Sequence, residues 1–228
     1  MDNVDKVKLP SAGLLKVPAE VSVRGMRGVE ISTIYSSLST ASIDAVIKKV
    51  TTPEVDPDTM CDEDKQYILH KTRVLTFGNE VMQTMRCPFC SHIQDHTLSY
   101  DNFETTYLTV ETLEKTLTLD DEEKTVLEAR IPTARTFEEI DTYKTKRNLP
   151  DSYAYLLLAA AKVKSINGVR KSISELVLWL EQIPGKYVIQ IAEGLTIKFG
   201  LDTTFLVPCE SCKIEYPGGI GLNADMFR

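Results

Sequence analysis

Apolar residues recur along this chain in two periods, and the switches between them outline its elements. Val21-Ser22-Val23 alternates as a short strand that ends at Gly25-Met26-Arg27-Gly28. Val29 to Ser36 has the makings of a helix. Ser42 to Val50 is a stronger one, with apolar positions at helical spacing and Ser42 in a capping place. Pro53 and Pro57 make Thr51 to Asp58 a loop. From Asp62 to Phe77, Tyr67, Ile68, Lys71, Val74 and Leu75 mark a largely apolar stripe, and Gly78 stands where a helix cap is expected. Val81 to Met85 reads as a strand, and residues 91–119, rich in Thr, Tyr and Leu and free of Gly, favour more strands.

Asp120 to Glu123 is an acidic turn, after which Thr125 to Ile131 predicts a strand ending at Pro132. Helices are expected over Thr136 to Lys146, over Asp151 to Lys164, from Ser172 to Gln182 behind a Ser172–Glu175 capping box, and from Lys186 to Gly200. Asn167-Gly168 makes a turn, and Thr203 to Val207 a last strand. Residues 1–20, with Pro10, Gly13 and Pro18, read as an irregular arm, and the glycine-rich tail from Pro217 onward covers an edge or meets a partner. The expected class is α+β.

Two Cys-x-x-Cys pairs punctuate this pattern: Cys87-Pro88-Phe89-Cys90 and Cys209-Glu210-Ser211-Cys212. Each comes after a predicted strand. Two thiolates at that spacing grip one metal ion from a single turn, and two turns complete the four-sulfur shell that structural zinc prefers. An offset of 122 superposes Phe77-Gly78 on Phe199-Gly200 and Cys87 and Cys90 on Cys209 and Cys212. The expectation is therefore two pseudo-repeated helix–strand–knuckle halves, residues 21–124 and 125–228 after an arm at 1–20, stapled by one structural zinc on Cys87, Cys90, Cys209 and Cys212. The alternatives are two redox dithiols or two inert pairs. A redox dithiol usually opens a helix, which lowers its thiol pKa; the residues after these pairs do not read as helical. His92, two residues past Cys90, could replace a cysteine ligand. His70 reads as a partly buried or surface residue on its helix, Cys61 as an ordinary free thiol, and Trp179 as core or interface.

Charge and composition narrow the function. With 33 acidic against 26 basic residues the net charge is −7, and the densest basic stretch, Lys144 to Arg147, is short and flanked by acids. That argues against nucleic acid as a partner. No apolar run reaches the length of a membrane span, and the N-terminus lacks the basic and apolar regions of a secretory signal, so a reducing cytoplasm is expected. There, spaced cysteines suit metal better than disulfides. No nucleophile elbow, phosphate loop, metalloprotease motif or dinucleotide fingerprint is present. A closed four-thiolate shell leaves no open position for water, so the expectation is a protein that is not an enzyme.

The order of several loose motifs resembles a known family. Leu9-Pro10-Ser11-Ala12-Gly13 comes first, then Val21-Ser22-Val23-Arg24-Gly25-Met26 with Glu30, then Asp64-Lys65-Gln66-Tyr67-Ile68-Leu69 with Arg73 and Phe77-Gly78. Cys87-Pro88-Phe89-Cys90, Leu127-Glu128-Ala129-Arg130-Ile131-Pro132, Ile166-Asn167-Gly168, Asp202 and the second cysteine pair come after them. Together they resemble the baseplate hub assembly proteins of T-even phages and their relatives in contractile-tailed phages. Phe77, in place of Tyr, and the ending Met226-Phe227-Arg228 depart from the family pattern. The resemblance implies a non-enzymatic hub protein or assembly chaperone that contacts other tail proteins, in the host cytoplasm during assembly or in the virion tail. The competing readings are a zinc-ribbon nucleic-acid-binding regulator and a dithiol oxidoreductase.

Overall fold

The computed structural model describes residues 3–37 and 39–220. The expected features of the tail beyond Ile220, including Met226-Phe227-Arg228, lie outside them. The chain mixes helices with small sheets whose strand pairs, among the described residues, are all antiparallel.

The first core forms around β1 (Val4–Lys8), β2 (Glu20–Arg24), α1 (Gly28–Ser36), α2 (Thr40–Val50), β3 (Thr51–Thr52) and α3 (Asp62–Phe77). β2 lies between β1 and β3. Leu9, Val23, Ile47, Met60, Ile68 and Leu69 are fully buried there. α2 is capped by Ser39, whose side chain accepts from the Ser42 N–H at 3.2 Å, so Ser42 sits one turn inside rather than at the cap. α3 spans the expected residues, with three acids in its first turn facing the positive end of the helix dipole. The irregular arm is a correction. Residues 4–8 are a strand paired to β2, and Leu9 and Ser11 are completely buried. Only Val7 of β1 is buried, so no alternation marked it; the strand exists because β2 offers an edge.

β4 (Glu80–Arg86) and β5 (Ile93–Ser99) form a hairpin; β6 (Thr105–Thr106), the one-turn helix α4 (Val110–Leu113) and β7 (Thr116–Thr118) come next. β8 (Val126–Ala129), α5 (Ala134–Arg147), α6 (Ala154–Lys162), β9 (Val163–Ile166), β10 (Val169–Arg170), α7 (Ile173–Leu180) and α8 (Gly185–Gly194) build the second core. The sheet order is β10-β9-β8-β7, with Leu127, Val163, Leu176, Leu180 and Ile191 buried against it or its helices. The chain then returns through β11 (Gly200–Leu201) to pair with β6, and ends in a second hairpin, β12 (Thr204–Pro208) and β13 (Glu215–Gly219). Cys61, Leu108 and Ile131, with Ile197 and Phe199 against them, fill the seam between the cores.

Two helix ends differ from expectation. Val163 and Lys164 begin β9 rather than finishing α6; Val163 and Ser165 are fully buried on the face that pairs with β8, an alternation hidden behind the apolar run of α6. α8 stops at Gly194, not Gly200. Lys162 Nζ donates to the Ala192 carbonyl at 2.6 Å and to Thr196 Oγ1 at 2.8 Å, and Lys115 Nζ donates to the Thr196 carbonyl at 2.8 Å. Two ammonium groups thus occupy acceptors at the helix C-terminus, where cations are favoured. Gly200 belongs to β11 with φ of +101°, and a Cβ there would lie 2.9 Å from Cβ of Glu63 on α3. Its glycine lets strand and helix approach; it is not a helix cap.

Candidate metal centre

Both cysteine pairs sit at the tips of two-stranded hairpins. In β4–β5 the pairing ends at Arg86↔Ile93, and in β12–β13 at Pro208↔Glu215, so each register maps onto the other by adding 122. The turns agree as well. Cys87 N–H donates to the His92 carbonyl at 2.8 Å and Ser91 N–H to the Cys87 carbonyl at 3.0 Å. Cys209 N–H donates to the Ile214 carbonyl at 3.1 Å and Lys213 N–H to the Cys209 carbonyl at 2.9 Å. Ser91 and Lys213 both take the left-handed conformation, at φ of 61° and 63°. The equivalence stops at the hairpins: α3 runs to Gly78, whereas β11 separates α8 from β12.

The inner faces of the hairpins pack on each other, with Met85 and Phe205 against Cys87, Val207, Cys209 and Tyr216. Gly218 makes this possible. A Cβ there would lie 2.6 Å from Met85 Cε of the facing hairpin and 2.9 Å from both Phe205 and Val207 side chains. The tips converge as a result. Cys87 Sγ lies 3.7 Å from Cys212 Sγ, and Cys90 Sγ 3.5 Å from Cys209 Sγ. All four sulfurs fall within 4.8 Å of one another. A tetrahedral shell with metal–sulfur bonds near 2.3 Å puts its sulfurs about 3.8 Å apart, so the four fit one ion. All four are free thiols; Cys87 and Cys209 are buried, Cys212 is half-buried and Cys90 is exposed.

The electrostatics point the same way. The Cys209 thiol is pulled down to about 6, first by the backbone N–H of Cys212, whose nitrogen lies 3.5 Å from Sγ. The Cys212 thiol is pushed up to about 12: the Ile214 N–H favours its thiolate, but burial and the neighbouring sulfurs of Cys209, Cys90 and Cys87 outweigh that. Within the second pair, then, Cys209 holds negative charge readily and Cys212 resists it. A divalent cation would remove that resistance, because metal binding displaces a thiol proton. Neither pair opens a helix, so the dipole that activates a redox dithiol is missing from both.

Among the described residues these four cysteines are the one group of three or more His, Cys, Asp or Glu side chains able to share an ion. His92 gives the first knuckle its backbone carbonyl, and its exposed ring stays outside the cluster. Cys61 is buried in the seam, where burial first and then Asp64 and Glu63 push its thiol far up; it is an inert core thiol. His70 is buried rather than at the surface, edge-on to Tyr100 with ring centroids 5.1 Å apart. Its Nδ1 and the Tyr100 hydroxyl have no hydrogen-bond partner, and both residues line a cavity of about 60 Å³. Trp179 packs, partly buried, against the second core.

Sequence reasoning missed Gln94, Tyr216 and Gly218. Gln94 Nε2 donates to the Pro208 carbonyl at 2.8 Å, and its Oε1 accepts from the Glu210 N–H at 2.8 Å. Strand alternation places both Gln94 and Tyr216 on inner faces, and the 122-residue offset makes them equivalent. That signal was present in the pattern, but a buried glutamine has no distinctive motif.

No described helix is long and apolar enough to cross a membrane. A family model described as T4 bacteriophage base plate protein matches residues 28–218, a span that holds both cysteine hairpins. Comparison with curated proteins and with solved structures finds no match. With 28–218 of its 228 residues matched, the chain belongs to the T4 bacteriophage base plate protein family.

Proposed function

We propose that this chain is a non-enzymatic component of the central hub of the phage baseplate, or a chaperone of hub assembly, that works through contacts with other tail proteins. Family membership across residues 28–218 carries the reading. Exposed apolar side chains on the second-half helices support it: Tyr155 and Leu158 one turn apart on α6, Leu178 on α7 and Ile189 on α8. Such positions suit protein contact more than solvent. The chain acts in the host cytoplasm during assembly and can remain in the tail afterwards.

Zinc is the proposed ion, one per chain, held by Cys87, Cys90, Cys209 and Cys212. Four thiolates at these separations match its preferred shell, and a shell closed by four sulfurs serves structure rather than hydrolysis. The two knuckle hairpins form a pseudo-twofold pair about that ion, each from one half of the chain, 21–124 and 125–228. The crossed sulfur contacts, Cys87 with Cys212 and Cys90 with Cys209, suit such an axis.

Gene deletion tests the role. Heads should form normally while tails fail at the hub stage. Normal tails, or a block confined to DNA replication or transcription, would overturn the assembly reading in favour of a nucleic-acid regulator. Elemental analysis tests the site: one zinc per chain is expected, and none or two rejects a shared ion.

A further inference from the structure

We propose that Gln94 is a positioning residue that sets Cys209 for metal binding; this rests on the metal reading above. Gln94 projects inward from β5 and is 6% exposed. Its amide donates to the Pro208 carbonyl and accepts from the Glu210 N–H, each at 2.8 Å. Those two peptide groups flank Cys209. One side chain therefore grips the backbone on both sides of a ligand, as a strand residue does its parallel neighbour. The bonds span 114 and 116 residues of sequence, so they also join hairpin to hairpin independently of any ion.

The grip fixes the amide's orientation. Turned over, its NH₂ would face the Glu210 N–H and its oxygen the Pro208 carbonyl, donor against donor and acceptor against acceptor. In the orientation required, Nε2 also meets Nε2 of His96 at 2.5 Å. The His96 ring must accept there, so its proton resides on Nδ1. The equivalent place in the other hairpin is Tyr216, whose buried hydroxyl has no partner. Cys87 consequently has no counterpart of this grip, and the centre is organised more firmly on the Cys209 side. Outer groups of this kind commonly account for ten- to a hundredfold in metal affinity.

The test titrates metal-free, reduced full-length protein with Co²⁺ and then displaces it with Zn²⁺, following the thiolate-to-cobalt absorption. Gln94→Ala should bind one ion per chain about 10–100-fold more weakly than wild type. Gln94→Met fills the same space but makes neither bond, and should bind as weakly as the alanine variant. This near-isostere also serves if the alanine variant folds poorly. Nitrogen NMR of the wild type should show His96 protonated on Nδ1. Affinity in Gln94→Ala or Gln94→Met equal to wild type, or a proton on Nε2 of His96, would overturn the proposal. If the wild type itself takes up no metal, the metal reading falls and the positioning role with it. The hairpin-joining grip is then judged separately, by whether hydrogen exchange at the Glu210 amide speeds up in Gln94→Ala.

Discussion

Replacing Cys209 by serine should loosen the first hairpin as well as the second. Cys209 Sγ is 3.5 Å from Cys90 Sγ, and the two residues are 119 apart in the chain. A serine hydroxyl does not ionise as a thiol does, so three sulfurs remain and affinity falls steeply. An ion present at a thousand times its dissociation constant stabilises the fold by about 4 kcal/mol. For a chain of this size that is a midpoint shift of roughly 8–16 °C, most of which the variant should forfeit. The loss should be graded along the hairpins. At their base, Val81, Tyr100 and Ile220 form a buried cluster with Phe103 and Phe205 against it, which needs no ion. At the tip, Phe89 is 61% exposed and contributes little packing. Hydrogen exchange on Cys209→Ser should therefore show the Cys87 and Ser91 amides losing protection most and the base of β4–β5 least. Unchanged protection at Cys87 and Ser91 after metal loss would refute the coupling: apolar packing and Gln94 would then suffice to hold the tips.

The remaining predictions concern the fold around the site. Gly218→Val should destabilise by about 1–3 kcal/mol, because its side chain meets Phe205 and Val207 of its own hairpin and Met85 of the other; a melt within error of wild type would contradict that packing. Asp64, fully buried, accepts the Ser11 N–H at 2.9 Å, so Asp64→Ala should lose about 1–3 kcal/mol in denaturant titration. Asp64→Asn keeps an acceptor and sheds a charge whose burial raises the carboxyl pKa, so it should be much milder; equal losses would count against this account. Burial first, and then the Arg73 charge, lowers the His70 pKa to about 4. Below about 6.5 the unfolded chain takes up a proton that the folded chain refuses, so stability falls between pH 6.5 and 4, by about 3 kcal/mol from this group. His70→Leu should flatten that limb of the pH–stability curve, and an unchanged slope would show that His70 does not titrate this way.

The parts of the site written in local chemistry were legible. The cysteine spacing and the strands before each pair reside in short segments, and the hairpins carry them. α3 was legible too, because its apolar stripe, acidic first turn and Gly78 agree. What escaped was set by distant partners. β1 exists because β2 has a free edge, and α8 ends where Lys162 reaches its Ala192 carbonyl and Lys115 the Thr196 carbonyl just beyond it. Gly200 looked like a helix cap because it repeats the place of Gly78, yet its freedom is used against Glu63. Gln94 is the sharpest case. It is an ordinary strand residue until folding brings Pro208 and Glu210 to it.

The location of the cysteines has its own logic. Both main cores are well filled, one by β1–β3 with α1–α3 and the other by the β7–β10 sheet with α5–α8, and neither contains any of the four. An isolated two-stranded ribbon is marginal in water, because one turn of pairing buries too little to offset the entropy of ordering the chain. At their tips two such ribbons lean on each other through a cluster whose buried members, besides Cys87 and Cys209, are Val207 and Tyr216. That is thin packing for the tips, which lie beyond the buried cluster of Val81, Tyr100 and Ile220 at the base. A shared ion would stabilise where apolar area is scarce, and because each ribbon supplies two sulfurs it would reward only their mutual docking. The Gln94 amide acts on the same junction by a different force, which falls away over hydrogen-bond distances rather than with buried area. The relation between the tips is therefore governed by a few directional bonds. Changes at Cys87, Cys90, Gln94, Cys209 or Cys212 should alter the ribbon pair while leaving both large cores intact.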